Sequence, residues 1–578
     1  MNNEIAVYLL RSILDRLAQD QLGTISGAER EALEYAKVSL SGNAQTKENP
    51  TLPKRSTSPV SYVEETTIAS VPSGDAAVAG KEPNKASYVA ELDLTCLDYD
   101  APDNPDVMLC LDFGTAMSKA FALTEGEEAL GLALGVEAGN QGFPVPSTVF
   151  ISDAGLVYFG YEALAQSQDT AESQRSRFDS LKGVLSLRSR GDLDSNMCVL
   201  KPDVNPTTTT LTEGALVRIF LAYLTDLSLL QLTTFTVGGG KPIGRYVKRR
   251  FAHPCWDETV QKSWAEPLMR KLLAEAQVLA DTFSGLWEGG IDIREIASAV
   301  EQVRRLTLRP DYIIEGGVPE PVAVAAAALA DGSTKRDPFM VVDVGAGTID
   351  FGVFIVREDA ATELHKVFQL QKSISMIKQA GDKIDNLLLH HIVEHEKIDQ
   401  HNANGRIVLA QLRREIRIFK ERLFVDGILE YVLEDSTTGI VELSQFLASS
   451  SMSNFADTVQ KGFKDALERL DDSWLAWIER TGLKVVLTGG GANLPMVKAL
   501  GIGMIVVRRH KILRETVDAT PIWLEETVPD LVPIYPQMAV AVGGAALELP
   551  EVAFGPEIFG GGNGRANYVA GRMQVAGI

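Results

Sequence analysis

Short apolar runs alternate with amphipathic helical stretches between Val107 and Leu549. The runs VMLCL, FMVVDV and VVLT have the length and the branched side chains of buried strands. Strands that alternate with helices are typical of an α/β fold. We therefore predict mixed sheets flanked by helices over residues 101–549.

The pattern before this region is helical and then polar. Apolar residues recur at helical spacing in residues 3–20, and Ser26 with Glu29 fits the capping box of a second helix. A helical hairpin over residues 1–40 is too small to bury a core alone. We expect it to dock on the rest of the chain, on a partner or on a second copy, with self-association or a partner favoured. Residues 41–100, rich in Ser, Thr and Pro, read as a flexible linker, and residues 550–578 as a Gly-rich tail.

Composition and charge narrow the class of protein. Hydrophobic residues make up 45% and charged residues 23% of the chain, and the net charge is −22. Such an acidic surface repels phosphate backbones, so we expect no nucleic-acid partner. The basic run Lys241–Arg250 is the exception, and we interpret it as a solvated helix face or loop.

We infer the cellular compartment of the protein from its cysteine usage and from the absence of targeting patterns. The four cysteines are scattered, which is typical of reduced thiols and suggests neither a disulfide frame nor a zinc site. We find no signal-peptide pattern and no apolar run of the roughly 20 residues that cross a bilayer. A cytoplasmic protein without a membrane segment is the expectation.

The first candidate site is the turn after the strand VMLCL. Asp112 ends the strand, and Gly114 allows the backbone to turn close to an anion. Thr115, Ser118 and Lys119 then supply donors that we expect to point at the same place.

A second turn repeats this design. In DVGAGTID, a strand ends in Asp343, and Gly345, Ala346, Gly347 and Thr348 form the turn before a returning strand. Two such hairpins suit a magnesium–triphosphate complex, because turn N–H groups cradle phosphate oxygens and aspartates hold magnesium through its water shell. Asp112 and Asp343 are thus the predicted metal-holding residues.

A third turn contains three consecutive glycines. The strand VVLT is followed by Gly489, Gly490 and Gly491 and then by Asn493, before a helix. Glycines there let a flat base and its sugar approach the backbone. The three turns in this order predict ATP as the ligand.

These segments resemble the DnaK-type (seventy-kilodalton heat-shock) ATPases of the superfamily that also contains actin and sugar kinases. DFGTAMS and DVGAGTIDFGVF are similar to the family's two phosphate motifs, and VVLTGGGANLPMV to its adenosine motif. The resemblance covers most of residues 107–549. It implies an actin-like fold with two lobes, about 107–335 and about 336–549, which close on ATP and Mg²⁺, and slow hydrolysis of ATP.

The resemblance also implies roles for residues outside the three turns. FDSLKGVL places Lys182 as the lysine that stabilises the transferring phosphoryl group, and EPVAVAAAAL places Glu320 as the residue that orients water. Gly381 in QAGDKIDNLLL and Lys420 in LRREIRIFKERL fall in the adenosine-binding segments. Catalysis is assigned to Lys182 and Glu320 together with Asp112, Asp343 and Thr348.

The sequence departs from the family pattern at several positions. Lys119 lies where actin-like members have a phosphate-contacting lysine, so Lys119 and Lys182 compete for that role, with Lys182 preferred. Arg417 and Gln537 stand where acidic residues are usual. The segment with His391, Glu394 and His395 could also be a zinc-peptidase helix, but its match to the adenosine lobe favours the nucleotide interpretation.

Three functions fit this sequence. The preferred one is a DnaK-like ATPase whose nucleotide state controls a protein client or partner. We expect no room for the usual C-terminal peptide-binding domain, since about 30 residues follow Leu549. The alternatives are an actin-like filament or scaffold protein and, less favoured, a small-molecule kinase.

Overall fold

The computed structural model describes residues 90–126, 128–137, 142–168, 175–187, 192–237, 240–256, 262–327, 338–358 and 365–553. They belong to one unit, Lys85–Ile578. The predicted hairpin 1–40, the linker up to residue 89 and the tail from residue 554 lie outside the described residues.

Regular elements follow one another closely in the first part of the described chain. Its strands are β1 (Val107–Asp112), β2 (Met117–Thr124), β3 (Ala129–Gly131), β4 (Val145–Pro146), β5 (Thr148–Ile151), β6 (Leu156–Phe159), β7 (Phe178–Asp179), β8 (Thr236–Val237), β9 (Lys241–Pro242), β10 (Lys248–His253), β11 (Ile291–Asp292) and β12 (Ile314–Pro319). Its helices are α1 (Leu134–Glu137), α2 (Gly160–Gln168), α3 (Leu181–Leu187), α4 (Glu213–Leu232), α5 (Lys262–Thr282), α6 (Ile293–Arg305) and α7 (Glu320–Ala327).

The second part continues the alternation with longer helices. Its strands are β13 (Pro338–Val344), β14 (Ile349–Glu358), β15 (His365–Leu370), β16 (Ser375–Ile377), β17 (Ile428–Val432), β18 (Thr438–Glu442), β19 (Leu483–Thr488), β20 (Gly503–Val507), β21 (His510–Val517) and β22 (Glu551–Ala553). Its helices are α8 (Gly381–His395), α9 (Ala403–Asp426), α10 (Leu443–Leu447), α11 (Ser450–Glu468), α12 (Asp472–Thr481), α13 (Pro495–Lys498), α14 (Ile522–Thr527) and α15 (Tyr535–Gly544).

Two larger sheets share one pairing scheme. The six-stranded sheet has the order β12-β10-β1-β2-β3, with β4 beside β2. In it, β1 is antiparallel to β2 and parallel to β10, and β10 is parallel to β12. The eight-stranded sheet repeats this scheme around β13, which is antiparallel to β14 and parallel to β19, as β19 is to β21. The mixed α/β fold predicted from the sequence is confirmed.

The central strands of both sheets are buried along their whole length. Every residue of β1 and of β13 is buried, which explains their continuous apolar runs. Helices α7 and α15 pack against each other so closely that a Cβ on Gly543 would lie 1.8 Å from the Ala323 carbonyl oxygen. Only glycine allows this approach, and the two helices share one core cluster with strands of both sheets.

Helix α4 corrects the expectation that no apolar segment is long enough for a membrane. Its 20 residues have the length and composition of a membrane span, with a mean hydropathy of 1.5 in the most apolar window. However, 89% of that window is buried inside the protein. Length and apolarity therefore reflect a core position in the described structure.

The basic run Lys241–Arg250 was wrongly predicted to be solvated. It supplies β9 and the start of β10, which lies between β1 and β12 in the six-stranded sheet. Arg249 is 0% exposed, and burial lowers the pKa of its guanidinium to about 10. Charge composition alone does not reveal that a strand passes through the interior.

Residues 90–100 were predicted to be part of the linker, but they pack against the folded chain. Cys96 is fully buried, and its carbonyl oxygen accepts a hydrogen bond from the Tyr312 hydroxyl at 2.9 Å. The backbone of Ala90 bonds to Ser298 and to Gln302 on α6. Packed chain therefore begins before residue 101.

Candidate functional site

Two carboxylates lie at matching positions in the two sheets. Asp112 ends β1 and Asp343 lies one residue before the end of β13, and they are only 3% and 5% exposed. The strand register places Lys119 opposite Asp112 and Asp350 opposite Asp343. The repeated pairing scheme thus brings an acidic residue to the same end of each central strand.

A cavity of about 550 Å³ opens beside these strand ends. Most of the sequence-predicted site residues line it, although they come from widely separated segments. They are Asp112, Gly114, Thr115, Lys119, Lys182, Glu320, Asp343, Gly345, Ala346, Thr348, Gly381, Lys420, Gly489, Gly490, Gly491 and Asn493.

Two predicted residues are placed differently. Ser118 is fully buried and shares a hydrogen bond of 2.8 Å with the Ser147 hydroxyl, because alternate side chains of β2 point to opposite faces. Its inclusion among residues that face the cavity is therefore corrected. Gly347 lies beside Thr115 and lines a neighbouring cavity with Thr348.

Two lysines converge on Asp112. Lys119 Nζ donates to Asp112 Oδ2 at 2.9 Å, while Lys182 Nζ donates to Glu320 Oε1 and lies 4.0 Å from Asp112 Oδ1. Burial alone would lower the pKa of Lys182, but Glu320 and Asp112 raise it above its usual value. Lys182 is therefore a buried cation held between two carboxylates.

The second hairpin carries two buried carboxyl groups. Burial, followed by the charge of Glu320, raises the pKa of Asp343 to about 7, although Asp343 Oδ1 accepts a 2.9 Å hydrogen bond from Thr488. The same two causes raise the pKa of Asp350 well above its usual value. A cation in the cavity would relieve this crowding of negative charge.

Asp350 is the acidic residue that sequence reasoning missed. It is 0% exposed, and its Oδ1 accepts a hydrogen bond from the Cys255 backbone N–H. The signal was present, since Asp350 closes the motif DVGAGTID. Counting the hairpin register outward from the turn would have placed it opposite Asp343.

In the glycine-rich turn after β19, no Cβ atoms separate the backbone of residues 489–491 from the cavity. Gly489 has φ 83°, and a Cβ there would lie 2.3 Å from the Val344 carbonyl oxygen. The Gly491 N–H donates to the same oxygen at 3.0 Å, which ties the turn to the end of β13. A Cβ on Gly490, by contrast, would meet nothing within 4 Å. This position is open space into which a flat group could fit.

Helices α8 and α9 form the remaining wall. Lys420 on α9 lies 2.7 Å from Asp385 Oδ1 on α8, and Arg417 donates to Asp382 at 3.2 Å. The substitution of Arg417 for an acidic residue is therefore matched by acidic partners on α8. Apolar side chains, which were not predicted, complete this wall: Ile384, Phe424 and Leu443.

The alternative zinc segment lies on α8. The His391 ring packs on Phe446 at 5.6 Å between centroids, and His395 bonds to Glu396. Within the described ranges, no group of three His, Cys, Asp or Glu residues has the arrangement of a metal site.

Comparison with known proteins identifies the kind of protein that this chain resembles. No family model matches the sequence. The chaperone protein DnaK of Anaplasma marginale is 29% identical over 186 residues, which are 31% of this chain and 27% of that protein. A chaperone protein HscA homolog from Shewanella sediminis is 27% identical over 186 residues, again 31% of this chain and 27% of the relative.

These matches confirm the resemblance that the motifs predicted. The chain is similar to the DnaK-type, seventy-kilodalton heat-shock ATPases. The matched region spans about a quarter of the length of each of these relatives.

Proposed function

We propose that this chain is a DnaK-like ATPase that binds Mg²⁺-ATP in the 550 Å³ cavity and hydrolyses it. One observation carries the proposal: the three Gly-containing turns, Lys182 and Glu320 all border the same cavity. Nothing in the local sequence requires segments so far apart to meet. Their convergence is what a single nucleotide site needs.

We also propose that the nucleotide lies between two lobes of an actin-like fold, about 107–335 and about 336–549. The common pairing scheme around β1 and β13 supports this division, as does the packing of α7 on α15. The proposed hinge is the contact between those two helices.

The carboxylates fit a hydrated divalent cation. Asp112 and Asp343 border one cavity, and burial, followed by the negative charge of Glu320, raises the pKa of Asp343. When bound, Mg²⁺ would neutralise phosphate charge, and it keeps most of its waters in such sites. Asp112 and Asp343 would hold those waters.

The chain's own groups would perform the remaining chemistry. Backbone N–H groups of residues 346 and 347, with Thr115 and Thr348, would hold phosphate oxygens, while the Gly345 N–H closes the turn by donating to the Thr348 carbonyl oxygen. Lys182 would stabilise charge on the transferring phosphoryl group, and Glu320 would orient the attacking water and accept its hydrogen bond. The ion pair of Lys182 with Glu320 keeps both side chains positioned at the cavity.

Adenosine would occupy the wall formed by α8, α9 and the glycine-rich turn. Gly490 leaves room for the base and sugar, and Phe424 with Leu443 offers an apolar surface. Lys420, Gly381, Gly491 and Asn493 would supply the polar contacts.

The site is tested by neutralising the carboxylates without changing their shape. Asp112→Asn and Asp343→Asn should each lower phosphate release from ATP by roughly 10²-fold, because each removes charge from the metal shell. Asp457→Asn, at an exposed position on α11, is the matched control. Wild-type turnover in both cavity variants would refute the assignment.

We further propose that the nucleotide state controls a protein client or partner. Both relatives are named as chaperones, and such nucleotide-controlled binding of a protein is what we propose for this chain. Capture of binding proteins with ATP and with ADP, by the full chain and by a chain lacking residues 1–84, tests it. Identical capture in both nucleotide states would contradict the switch.

A further inference from the structure

A second cavity, outside the nucleotide site, is lined by positive charge. It measures about 530 Å³ and lies between residues 175–179 and the first turns of α9. Five arginines line it, namely Arg175, Arg177, Arg406, Arg413 and Arg414, and we call it the arginine cleft. Only two acidic residues, Asp179 and Asp203, are among its lining residues. The chain as a whole has a net charge of −22, so its overall composition does not account for five arginines around one cavity.

The deepest arginine is not satisfied by the protein. Arg414 is 9% exposed, and its Nη1 has no hydrogen-bond partner in the part of the chain that the structure describes. Burial lowers the pKa of its guanidinium; the charges of Glu415 and Glu434 offset part of this, and the charge of Arg177 adds to it. A buried N–H without a hydrogen-bond partner is costly, so this guanidinium has unused hydrogen-bonding capacity for an anion.

Arg177 repeats the observation from the opposite wall. Its Nη2 donates to the backbone carbonyl oxygen of Arg414 at 2.9 Å and lies 3.4 Å from Asp179 Oδ2. Its Nε, however, has no hydrogen-bond partner among the described residues. Two guanidinium groups that line the cleft thus each keep one buried N–H without a partner among the described residues.

Arg406 and Arg413 supply exposed positive charge at the cleft. Both lie on α9, and both are exposed in the described structure. Arg175 differs because its guanidinium already has protein partners. It donates hydrogen bonds to the backbone carbonyl oxygens of Ile151 and Asp203 and to the carboxylate of Asp153. The binding groups are therefore Arg177 and Arg414 inside and Arg406 and Arg413 outside.

We propose that the arginine cleft binds a small phosphate-bearing anion. Planar guanidinium groups pair with phosphate oxygens through two parallel hydrogen bonds, and several forks suit a tetrahedral dianion better than a single carboxylate. The volume of about 530 Å³ accommodates a phosphate with a small organic group. The bound anion bridges residues 175–179 to α9. This site is separate from the proposed nucleotide site and does not depend on ATP hydrolysis.

The experiment is calorimetric titration of the full protein, without magnesium or nucleotide. The probes are inorganic phosphate, pyrophosphate and phenyl phosphate at constant ionic strength, and the first and last distinguish free phosphate from an organic phosphate ester. Arg413→Gln and Arg406→Gln should each weaken binding about tenfold, the usual effect of losing one charged hydrogen bond. Both positions are exposed, so these variants should fold; Arg414→Gln is the stronger but riskier variant.

Two controls separate this site from the alternatives. Arg422→Gln removes the same charge from the same helix outside the cleft and should leave binding unchanged. Lys119→Gln alters the nucleotide cavity, and it too should leave binding unchanged. If Lys119→Gln abolishes binding while Arg413→Gln does not, the phosphate occupies the nucleotide cavity and the proposal is overturned.

Other ligand classes are decided by two further titrations. If citrate binds more tightly than pyrophosphate with the same dependence on Arg413, the phosphate assignment is wrong. If a hexaglutamate peptide binds through these arginines while the phosphates do not, the cleft is a docking site for acidic protein segments, and the proposal fails. Absence of binding by every phosphate probe at millimolar concentration also overturns it.

Discussion

Lys182 and Glu320, which are 138 residues apart in the sequence, form a buried ion pair at the wall of the proposed nucleotide cavity. Lys182 lies in the first turn of α3, and Glu320 is the first residue of α7. Each is about 5% exposed, so neither charge is stabilised by bulk water. The pair is therefore both a structural contact and the proposed catalytic centre.

Removing one partner of this pair should destabilise the nucleotide-free protein. Lys182→Met leaves Glu320 buried without its counter-ion, which typically costs about 3–5 kcal/mol. We expect a lower melting temperature by calorimetry. Glu320→Gln added to Lys182→Met should recover most of the loss, because no unpaired charge then remains. A double variant as unstable as the single one would show that the loss comes from packing.

Measurements of ATP turnover should distinguish the role of Lys182 from that of Lys119. Lys182→Gln is expected to lower the rate of phosphate release by roughly 10²-fold, because it removes charge stabilisation from the transferring phosphoryl group. Lys119→Gln should have a smaller effect, since Lys119 bonds directly to Asp112 Oδ2 and screens it. A larger loss in Lys119→Gln would reverse the two roles.

The glycine-rich turn offers a test that separates folding from binding. Gly490→Ala should leave the melting temperature nearly unchanged, because the added Cβ would meet no atom within 4 Å. It should nevertheless weaken nucleotide binding, since the methyl group would enter the proposed adenosine space. Gly489→Ala should instead destabilise the protein, because φ is 83° and the Cβ would lie 2.3 Å from the Val344 carbonyl oxygen. Unchanged nucleotide affinity in Gly490→Ala would argue against adenosine at this turn.

Two buried arginines should respond oppositely to the same substitution. Arg249 has only long hydrogen bonds, of 3.4–3.5 Å, to the carbonyl oxygens of Arg245 and Val247, and no partner for its Nη1 among the described residues. Arg249→Met should therefore leave the melting temperature unchanged or raise it. Arg218 bonds to Glu275 at 2.7 Å and to Asp194 at 2.9 Å, so Arg218→Met should lower it. Equal losses in both variants would contradict this distinction.

His510 should make stability depend on pH. Hydrogen bonds to Glu479 and Asp472 raise the pKa of the imidazole above its usual value, and Arg508, Arg509 and Lys511 are the nearby cations. A raised histidine pKa stabilises the fold fully below the unfolded pKa of about 6.5, and the stabilisation disappears as pH rises through the folded pKa. The melting temperature should fall between pH 6 and pH 8.

The matched comparison isolates this contribution. His510→Gln should flatten the fall in melting temperature over that pH range. His390→Gln, at an exposed position on α8, should keep the wild-type slope. An unchanged slope in His510→Gln would assign the pH dependence to other groups.

Local sequence was sufficient for the turns of the site. Strand ends, glycines and carboxylates follow one another within a few residues in DFGT, DVGAGT and TGGGAN, so their chemistry was readable before any fold was known. The prediction from local sequence was wrong for Ser118, which its spacing placed with the phosphate donors. The alternation of β2 turns that side chain toward Ser147 instead.

Amino-acid order alone established the alternation of strands and helices, the three turns and the resemblance to DnaK-type ATPases. Only the tertiary structure decided which distant residues meet: the side chain of Lys182 with that of Glu320, and the Arg177 guanidinium with the backbone carbonyl oxygen of Arg414. The physical reason is that a turn depends on neighbours in the chain, whereas a buried charge depends on whatever the fold packs around it. The same reason explains Arg249, which belongs to a basic run in the sequence and is fully buried in a strand of the protein.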